Sequence, residues 1–491
     1  MKLEALLSAI QPTRVDGPVD REITSLCSDS RRAREGALFF AVRGEKVDGS
    51  AYVDQAVAAG AAAVVSESAQ LKTRATSIVV PDARAAMADL AAEFFGHSDR
   101  HLKMAGVTGT NGKTTTAFLL RHLCETALLR CGLIGTVHYQ IGERILPAPR
   151  TTPESLEVHD LLWQMRSAGC KAVAMEVSSH ALVQERVRGV EFDAAIFTNL
   201  TQDHLDYHKT MEAYAEAKAL LFSNLARQKK RGRAVLNIDD RYGALFAARF
   251  GSELDIVTYG LGVKAAFRAS NVRIDFNGTS FQLDALGRSY LVRLPLIGQF
   301  NVYNALAAIA AANVLGIDVR SAVLSLATAP AVPGRLEAVP AQRQFKVFVD
   351  YAHTEDALLN VMKTCRELNP ARLIVVFGCG GNRDKTKRPR MGAAVDSLAD
   401  YAIVTSDNPR GEDPEAIIAD IRPGLQRVPY ETIVDRKEAI FKAIAMAQAR
   451  DIVLLAGKGH ETYQEFADRT VPFDDVAVAA SALENRREPP R

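Results

Sequence analysis

A short apolar strand, a glycine-rich loop and a helix follow one another between His101 and Leu123. The strand reads HLKMAGVTG, the loop lies in GVTGTNGKTTT, and the apolar spacing of AFLLRHL is that of a helix. The backbone N–H groups of such a loop, placed where a helix begins, can surround a polyphosphate. The strict GxxxxGK[ST] spacing is not met, because Val107 stands at the first glycine position and Gly106 lies one residue earlier. The order of strand, loop and helix still favours nucleotide binding over a chance turn.

The composition excludes several classes of protein. A chain of 491 residues is too long for one hydrophobic core, which predicts two to four domains. Lys and Arg number 60 against 58 Asp and Glu, so charge gives no case for a nucleic-acid or membrane partner. No apolar run is long enough to cross a bilayer, and the 6 cysteines lack zinc spacing and predict buried, reduced thiols. We therefore expect a cytoplasmic protein without membrane insertion.

Strands and helices alternate along the whole chain, which predicts an α/β fold with parallel sheets and ligands at the carboxyl ends of the strands. We place an N-terminal domain at residues 1–98, a central domain at 99–333 and a C-terminal domain at 334–491. The central domain carries a β-rich insertion at roughly 255–296, where segments such as SFQLDAL and SYLVRLPL alternate.

Three segments after the glycine loop carry candidate chemistry. Glu176 ends an apolar strand in MEVSSHALVQERV, where the second metal-holding carboxylate of an NTPase would lie, although the pattern by itself favours a Glu that faces solvent. TNLTQDHLDYH follows the end of another strand and contains His204, which is either a metal ligand or a surface histidine. This loop and Glu176 should lie beside the glycine loop on adjacent strands. Lys218 lies in the helical segment MEAYAEAKALLF, and by itself this pattern favours a solvated lysine.

Three loops near the C-terminus also follow apolar strands. In VVFGCGGNRDKTKRP the glycines do not form GxGxxG, so a dinucleotide site is not predicted. The charges of Arg383, Lys385, Lys387 and Arg388 suit either an anionic substrate or a solvated loop. The loops TSDNPR and AGKGHE could bind a zwitterion, with the Arg410 guanidinium binding a carboxylate through two hydrogen bonds.

Ten ordered motifs together resemble the Mur ligases. They are TGTNGKT, MEVSSH, TNLTQDHLDYH, EAYAEAK, LIGQFNVYNALAA, PGRLE, VDYAHTEDAL, FGCGGNRDKTKRP, DNPR and AGKGHE, and the likeness runs from about residue 24 to 475. The resemblance implies a UDP-binding N-terminal domain, a central P-loop-type ATPase sheet and a Rossmann-like C-terminal domain that brings an amino acid.

The resemblance also implies site residues. ATP would lie on Gly109, Thr110, Asn111, Gly112, Lys113, Thr114, Thr115, Asn301, Arg335 and Asp350. Mg²⁺ would be held by Thr114, Glu176, His204 and Lys218, the last as a carbamylated lysine whose added carboxylate reverses its charge. A UDP-muramoyl-dipeptide would contact Ser28, Ser30, Glu45, Lys46, Val47, Asp48, Thr151, Thr152, Ser178, Gln184 and Arg186. Arg150 stands where some relatives have an Asn, and it receives no role from the resemblance.

Within the family, DNPR is the signature of members that add meso-diaminopimelate to UDP-N-acetylmuramoyl-L-alanyl-D-glutamate. The residues implied for diaminopimelate are Arg383, Asp407, Asn408, Pro409, Arg410, Gly457 and Glu461. The implied catalytic residues are Lys113, Lys218, His204 and Glu176, acting through an acyl phosphate without a covalent enzyme intermediate. We expect a monomer. The alternatives are a lysine-adding relative, a folylpolyglutamate synthetase, a P-loop ATPase of another class, and a non-catalytic scaffold.

Overall fold

The computed structural model describes residues 1–44, 48–68, 73–340 and 343–486. The chain groups into two compact units. The first unit consists of Met1–Arg268, Ala285–Gly287 and Leu306–Ala322, and the second of Ala269–Asp284, Arg288–Ala305 and Val323–Arg491.

The first unit begins with a five-stranded sheet. Its strands are β1 (Arg14–Asp16), β2 (Ser25–Cys27), β3 (Ala37–Ala41), β4 (Ala61–Ser66) and β5 (Thr76–Val79), and its helices are α1 (Leu3–Leu7), α2 (Val53–Ala58) and α3 (Ala83–Phe94). The order is β1-β5-β4-β3-β2, with only β1 antiparallel to its neighbour. Strand β3 is buried at every position because apolar clusters cover both faces of the sheet, as is usual for parallel strands. The βα alternation predicted for this segment is confirmed.

A larger sheet follows in the same unit. Its strands are β6 (Lys103–Thr108), β7 (Cys131–Ile134), β8 (His138–Ile141), β9 (Arg144–Pro147), β10 (Ala172–Glu176), β11 (Ala194–Phe197), β12 (Arg233–Asn237) and β13 (Asp255–Gly260). Its helices are α4 (Lys113–Thr126), α5 (Ser155–Ser167), α6 (Ser179–Val183), α7 (Leu205–His208), α8 (Met211–Arg227) and α9 (Arg241–Phe250). The order β13-β12-β11-β6-β10-β7 is parallel, and β8 and β9 add an antiparallel hairpin that we did not predict.

The position of β6 between β10 and β11 decides where ligands can bind. These three strands end at Thr108, Glu176 and Phe197. Because they are parallel and adjacent, the loops that follow them leave the same edge of the sheet. This edge brings the glycine loop, the loop after Glu176 and the TNLTQDH segment together, as the sequence predicts.

The next elements complete the β-rich insertion and lead into the C-terminal region. They are β14 (Phe267–Asp275), β15 (Gly278–Ala285), β16 (Arg288–Leu294), α10 (Gln299–Val314) and α11 (Val319–Leu326). The three strands are neighbours in the order β16-β15-β14, so the predicted insertion is present.

The second unit contains a six-stranded sheet. Its strands are β17 (Glu337–Ala338), β18 (Lys346–Asp350), β19 (Leu373–Phe377), β20 (Tyr401–Val404), β21 (Tyr430–Thr432) and β22 (Ile452–Ala456), followed by the small β23 (Tyr463–Glu465) and β24 (Thr470–Pro472) pair. Its helices are α12 (Glu355–Glu367), α13 (Lys387–Leu398), α14 (Pro414–Ile421), α15 (Arg436–Met446) and α16 (Asp475–Asn485). The order is β17-β18-β22-β19-β20-β21, parallel from β18 to β21, with an apolar core on each face.

Two composition-based predictions can be compared with the fold. All six cysteines are buried and free, as predicted. Within the described ranges, no helix has both the length and the apolar character that a bilayer crossing requires.

Candidate active site

Two glycines shape the predicted phosphate loop between β6 and α4. Gly109 has φ +149°, and a Cβ there would lie 1.8 Å from Thr198 Oγ1. Gly112 has φ +85° and caps α4, which begins at Lys113. A left-handed backbone and this close approach both favour glycine. The loop conformation therefore depends on Gly109 and Gly112, which are two glycines of the predicted motif.

The segment after β11 holds the phosphate loop by hydrogen bonds. Thr198 Oγ1 donates to the Asn111 carbonyl at 2.6 Å, and the Asn111 N–H donates to Asn199 Oδ1 at 2.9 Å. The Thr201 N–H donates to Thr110 Oγ1 at 3.1 Å. Sequence reasoning did not single out Thr198, Asn199 or Thr201, although TNLTQDH was noted as a strand-end loop. Their contribution is to hold the loop against the end of β11.

Two lysines converge on one oxygen of the phosphate loop. Lys113 Nζ donates to the carbonyls of Gly109 at 2.9 Å and Thr110 at 2.8 Å. Lys218 Nζ, from α8, donates to the same Gly109 carbonyl at 2.8 Å. Both lysine amines therefore lie against the loop that the sequence predicts to bind phosphate.

Lys218 is buried, so the solvated-lysine interpretation is wrong. Its residue exposure is 1%, and its Nζ lies 4.5 Å from the ring centroid of Tyr214. Burial, and then repulsion by Lys113, holds the pKa of Lys218 well below its usual value. The helical pattern predicted a solvated lysine wrongly, because Tyr214 and Lys218 are one turn apart and both face inward. A lowered pKa makes the amine easier to deprotonate, and only a deprotonated amine can be carbamylated.

Thr114 and Glu176 form the part of the predicted metal site that the structure joins directly. Thr114 Oγ1 donates to Glu176 Oε2 at 3.1 Å, and Thr136 Oγ1 donates to the same oxygen at 3.0 Å. The Thr136 N–H donates to Glu176 Oε1 at 2.8 Å, and Glu176 has no exposed surface. The solvent-facing alternative for Glu176 is therefore wrong. Thr115, next on α4, is also buried.

His204 lies in a separate group of rings. It adopts φ 54°, its side chain is 46% exposed, and its backbone N–H donates to Asp203 Oδ1 at 2.8 Å. Its ring centroid is 4.9 Å from that of His180 and 6.1 Å from that of Tyr214. Tyr214 also lies 3.3 Å from Thr110 Oγ1, so this ring group adjoins the phosphate loop.

The oxygens of Thr114 and Glu176 fit Mg²⁺. This ion prefers hard oxygen donors and keeps several waters, so it needs only one or two protein carboxylates. In the part of the chain that the structure describes, no three His, Cys, Asp or Glu side chains form a metal-binding group. A ligand set completed by phosphate oxygens and water is compatible with this finding.

The residues implied for the muramoyl-dipeptide lie beside Glu176. Thr152 Oγ1 donates to the Glu176 carbonyl at 2.9 Å and accepts from the Ser178 N–H at 3.0 Å. Thr151 Oγ1 and Thr136 Oγ1 are 3.1 Å apart. Arg186 donates to the Thr152 carbonyl at 2.9 Å and to Gln184 Oε1 at 2.6 Å. The structure therefore brings all five predicted residues, Thr151, Thr152, Ser178, Gln184 and Arg186, into one connected group.

The residues implied for UDP are only partly described. Ser30 is buried and its Oγ donates to Gln55 Oε1 at 2.9 Å, whereas Ser28 is exposed. Asp48 Oδ1 accepts from the Ser50 N–H at 2.8 Å and so caps a short 3₁₀ turn. Glu45, Lys46 and Val47 lie outside the described residues.

Three further residues implied for ATP lie in the second unit. Asp350 ends β18 and accepts from the N–H groups of Leu336 at 2.7 Å and Ala352 at 2.8 Å. Burial raises the pKa of Asp350, an effect that nearby Arg335 partly offsets. Asn301 is buried at the start of α10, where its Nδ2 donates to the Ile297 carbonyl at 2.9 Å.

The loops after β20 and β22 form a buried polar ring in the second unit. Lys458 Nζ donates to Asn408 Oδ1 at 3.0 Å and to Glu461 Oε2 at 3.1 Å. Asn408 Nδ2 donates to the same Glu461 oxygen at 2.8 Å, and Lys458 has no exposed side-chain surface. Sequence reasoning identified Asn408 and Glu461 but missed Lys458, although it lies within the quoted AGKGHE.

Arg410 is close to this ring. It has φ 51°, its Nε donates to Glu465 Oε2 at 2.8 Å, and its Nη1 donates to the Gly381 carbonyl at 3.1 Å. The Glu465 N–H donates to Asn408 Oδ1 at 3.1 Å, which links Arg410 to the ring. Arg383 is exposed, and a Cβ added to Gly380 would lie 3.0 Å from Arg410 Nη1 and 3.9 Å from Arg383 Cγ. The two arginines are therefore on one side of the glycine turn.

Asp407, Pro409 and Gly457 shape the backbone around the ring. Asp407 Oδ1 accepts from the Asn408 N–H at 2.6 Å. Gly457 has φ +117°, and a Cβ there would lie 2.7 Å from Asp407 Oδ2. The Pro409 carbonyl would lie 1.9 Å from a Cβ at Gly381. Glycines therefore allow the two loops to approach each other closely.

Arg388 does not serve an anionic substrate, which corrects one sequence interpretation. It is fully buried, donates to Glu412 at 2.9 Å, and pairs with Asp420 at 2.8 Å. Lys385 also pairs with Glu412, at 3.2 Å. These charges neutralise one another and fasten the start of α13 to the loop before α14.

Three family models cover most of the chain. They are the Mur ligase family catalytic domain at residues 22–95, the Mur ligase middle domain at 107–312, and the Mur ligase glutamate ligase domain at 334–459. The chain belongs to the Mur ligase family. The α/β fold and the ATP-dependent ligase class predicted from the sequence are thereby confirmed.

Individual proteins similar to this Mur ligase share nearly its whole length. The UDP-N-acetylmuramoyl-L-alanyl-D-glutamate–2,6-diaminopimelate ligase of Halalkalibacterium halodurans is 47% identical over 486 residues, covering 99% of each chain. The enzyme of the same name from Syntrophomonas wolfei is 44% identical over 492 residues, covering 99% of this chain and all of its own.

Solved structures extend the comparison to the fold. A UDP-N-acetylmuramoyl-L-alanyl-D-glutamate–2,6-diaminopimelate ligase superposes with a TM-score of 0.72 at 36% identity, covering 99% of both chains. MurF from Acinetobacter baumannii has a TM-score of 0.70 at 21% identity over 99% of both chains, which shows a shared fold alone.

Proposed function

We propose that this Mur ligase adds meso-2,6-diaminopimelate to UDP-N-acetylmuramoyl-L-alanyl-D-glutamate, with ATP as the energy source, in the synthesis of peptidoglycan precursors. The likeness to the Halalkalibacterium enzyme over 99% of both chains supports the reaction. The single structural observation that carries the choice of amino acid is the buried ring of Asn408, Lys458 and Glu461 with Arg410 beside it. It offers both signs of charge to a zwitterion.

The proposed reaction has two group transfers. The glutamate carboxylate of the dipeptide attacks the γ-phosphorus of ATP, a P–O bond forms, and ADP leaves. The amine of diaminopimelate then attacks the acyl phosphate carbon, and inorganic phosphate leaves with the former C–O electron pair. Lys113 and the N–H groups at the start of α4 neutralise charge on the transferring phosphoryl group. No enzyme nucleophile is needed, so positioning supplies most of the rate.

Mg²⁺ is the metal that the oxygen donors fit. Thr114 and Glu176 would hold it, with His204 as a further candidate, and it would supply charge neutralisation at the phosphate oxygens. Glu176 is oriented for this role by Thr136, which donates two hydrogen bonds to its carboxylate.

Carbamylation of Lys218 is part of the proposal. Its buried, pKa-lowered amine can attack CO₂ with its nitrogen lone pair, forming an N–C bond and releasing a proton to water. The product places a carbamate anion near the phosphate loop. We expect Lys218→Ala to lose ligase activity, and added short carboxylates to restore part of it. Lys229→Met, at an exposed lysine, is the control. Full activity of Lys218→Ala without added carboxylate would contradict the carbamate.

Selectivity for diaminopimelate is assigned to Arg410 and Arg383. Diaminopimelate carries a distal carboxylate that lysine lacks, and a guanidinium binds carboxylates in bidentate geometry. Lysine offers no carboxylate to these guanidinium groups and so loses this charge-assisted interaction. We expect Arg410→Lys to lower the preference for diaminopimelate over lysine by about tenfold or more.

Phosphate release tests the reaction itself. The full chain is given ATP, Mg²⁺ and UDP-N-acetylmuramoyl-L-alanyl-D-glutamate, and amino acids are offered one at a time. Release with meso-diaminopimelate and not with lysine is the expected result. Equal rates with lysine would overturn the amino-acid assignment, and release without any amino acid would favour an ATPase.

Three broader properties belong to the same proposal. We propose domains at residues 1–98, 99–333 and 334–491, a monomeric state, and a cytoplasmic location, where nucleotide-linked precursors are made. Sedimentation of the full chain tests the second, and a mass near 53.3 kDa is expected.

A further inference from the structure

Three arginines surround a single carboxylate in the first unit. Glu154 pairs with Arg186 at 3.2 Å, with Arg84 at 3.9 Å, and with Arg150. We call these three arginines and Glu154 the arginine cluster. None of the proposed steps uses Arg84, Arg150 or Glu154.

Glu154 is the residue before α5, yet its carboxylate does not cap that helix by a hydrogen bond. Its carboxylate faces the arginines instead. A second acid, Glu157, lies within electrostatic reach of Arg150, and burial raises the pKa of Glu157. The cluster thus holds more positive charge than one carboxylate neutralises.

The repulsion among the three arginines affects the pKa of Arg186. Burial, and then repulsion from Arg150 and Arg84, lowers the pKa of Arg186 to about 10. Its side chain is only 12% exposed, whereas Arg150 is 50% and Arg84 30% exposed. The salt bridges that Arg150 and Arg84 make with Glu154 are exposed enough to contribute little to stability. Stability alone therefore does not explain three guanidinium groups at this position.

The cluster lies between the two predicted ends of the nucleotide-linked substrate. On one side, Arg84 Nη2 donates to the Arg43 carbonyl at 3.2 Å, and the backbone of Arg43 forms an isolated antiparallel β-bridge with Asp48, a residue of the segment implied for uridine. On the other side, Arg186 donates to the Thr152 carbonyl in the group implied for the dipeptide. In the substrate, the diphosphate is the anionic group that separates uridine from the sugar and peptide.

We propose that Arg84, Arg150 and Arg186 form the subsite for the diphosphate of the UDP-linked substrate, and that Glu154 competes with the diphosphate for these arginines. Guanidinium groups bind phosphate oxygens in bidentate pairs. The diphosphate displaces the Glu154 carboxylate from the arginines, so Glu154 competes with substrate. The inference deepens the proposed function and rests on it for the identity of the substrate.

Calorimetric titration of the full chain with UDP tests the subsite without requiring turnover. Arg84→Ala and Arg150→Gln should each weaken UDP binding by about tenfold, and less at high salt. Glu154→Gln should tighten it severalfold, because the competing charge is removed while the shape is kept. Arg188→Ala is the matched control, since Arg188 pairs with Asp89 and Glu185 outside the cluster. Thermal denaturation checks that each variant is folded.

The sign of the Glu154→Gln effect separates a ligand site from a structural network. A structural network predicts weaker or unchanged UDP binding in this variant, and either result overturns the subsite. Titration with muramoyl-L-alanyl-D-glutamate lacking UDP gives the second comparison. If the arginine variants weaken that fragment and leave UDP unaffected, the cluster binds a carboxylate and the inference is wrong.

Failure of the two proposals gives different results. If the wild type ligates diaminopimelate but the arginine substitutions leave UDP binding unchanged, the subsite is rejected and the proposed function stands. If UDP binding changes in the variants as predicted but the wild type does not ligate diaminopimelate, the proposed reaction is rejected and the subsite stands.

Discussion

Lys458 shows how a residue that no pattern identified becomes central once the chain is folded. It is fully buried and donates to both Asn408 and Glu461, the two side chains implied for the amino-acid head group. A buried lysine that holds a carboxylate acts through that carboxylate, so we describe Lys458 as a positioning residue.

Lys458→Met should raise the KM for diaminopimelate and leave the KM for ATP unchanged. Removing the ammonium leaves the Glu461 carboxylate without a counter-ion, at a cost of about 2 kcal/mol, or roughly 30-fold in KM. Steady-state kinetics with each substrate varied in turn provides the measurement. Lys437→Met, at an exposed lysine of α15, is the control. Equal changes in both KM values would mean that Lys458 only stabilises the fold.

Glu412 gives a prediction about stability in acid. Hydrogen bonds from Arg388, and then from the Asn382 N–H, lower the pKa of Glu412 from 4.5 to about 2. The folded state therefore holds fewer protons between those values, and stability falls as the pH drops from 4.5 towards 2. Urea unfolding across this range should show a shallower acid slope in Glu412→Gln than in the wild type.

A second acidic partner of Arg388 supplies the control. Asp420, its other partner, has a side chain 47% exposed against 19% for Glu412. Asp420→Asn should therefore destabilise the protein less than Glu412→Gln at neutral pH, because an exposed pair is worth less. The opposite order would contradict the assignment of Glu412 as the main partner of the buried Arg388.

At the scale of elements, the phosphate loop depends on the strand beside it. A methyl group at Gly109 would overlap Thr198 Oγ1 at 1.8 Å, so Gly109→Ala must displace either the loop or the end of β11. We expect nucleotide binding to be lost and the melting temperature to fall. Gly169→Ala is the matched control, since Gly169 also has positive φ, +82°, but nothing lies within 4 Å of its Cβ. That change should cost only about 1 kcal/mol and retain nucleotide binding.

The order of elements was predictable because strand and helix periodicities are local. Strand β6 with helix α4, strands β10 and β11, and strands β19, β20 and β22 all lie where the sequence predicts apolar strands. The hairpin of β8 and β9 was missed, since its edge strands are short and half exposed. Lys218 was misread by its pattern because burial depends on what α8 packs against, and only the family resemblance pointed to its importance.

At the scale of the whole molecule, the C-terminal sheet makes a prediction about independent folding. Residues 334–491 contain the six strands of that sheet and most of both apolar cores. One core also includes Ile297 and contacts Ile274 and Phe276, which lie before residue 334. A fragment of residues 334–491 should therefore fold, but with lower stability and an exposed apolar patch.

Far-UV circular dichroism and urea titration of that fragment provide the measurement. A single cooperative transition is expected, with a midpoint that falls because each lost apolar contact costs about 1–2 kcal/mol. Binding of a hydrophobic dye should report the exposed patch. Absence of any cooperative transition would place residues 269–305 within the C-terminal folding unit and move the proposed boundary at 333.

The Gly109 carbonyl accepts hydrogen bonds from both Lys113 and Lys218, and this has a mechanical consequence. Lys113 begins α4 and Lys218 lies in α8, so one backbone oxygen joins the side chains of two helices. A displacement of the loop at Gly109 therefore moves both amines together, and it couples the position of α4 to that of α8 through a single atom.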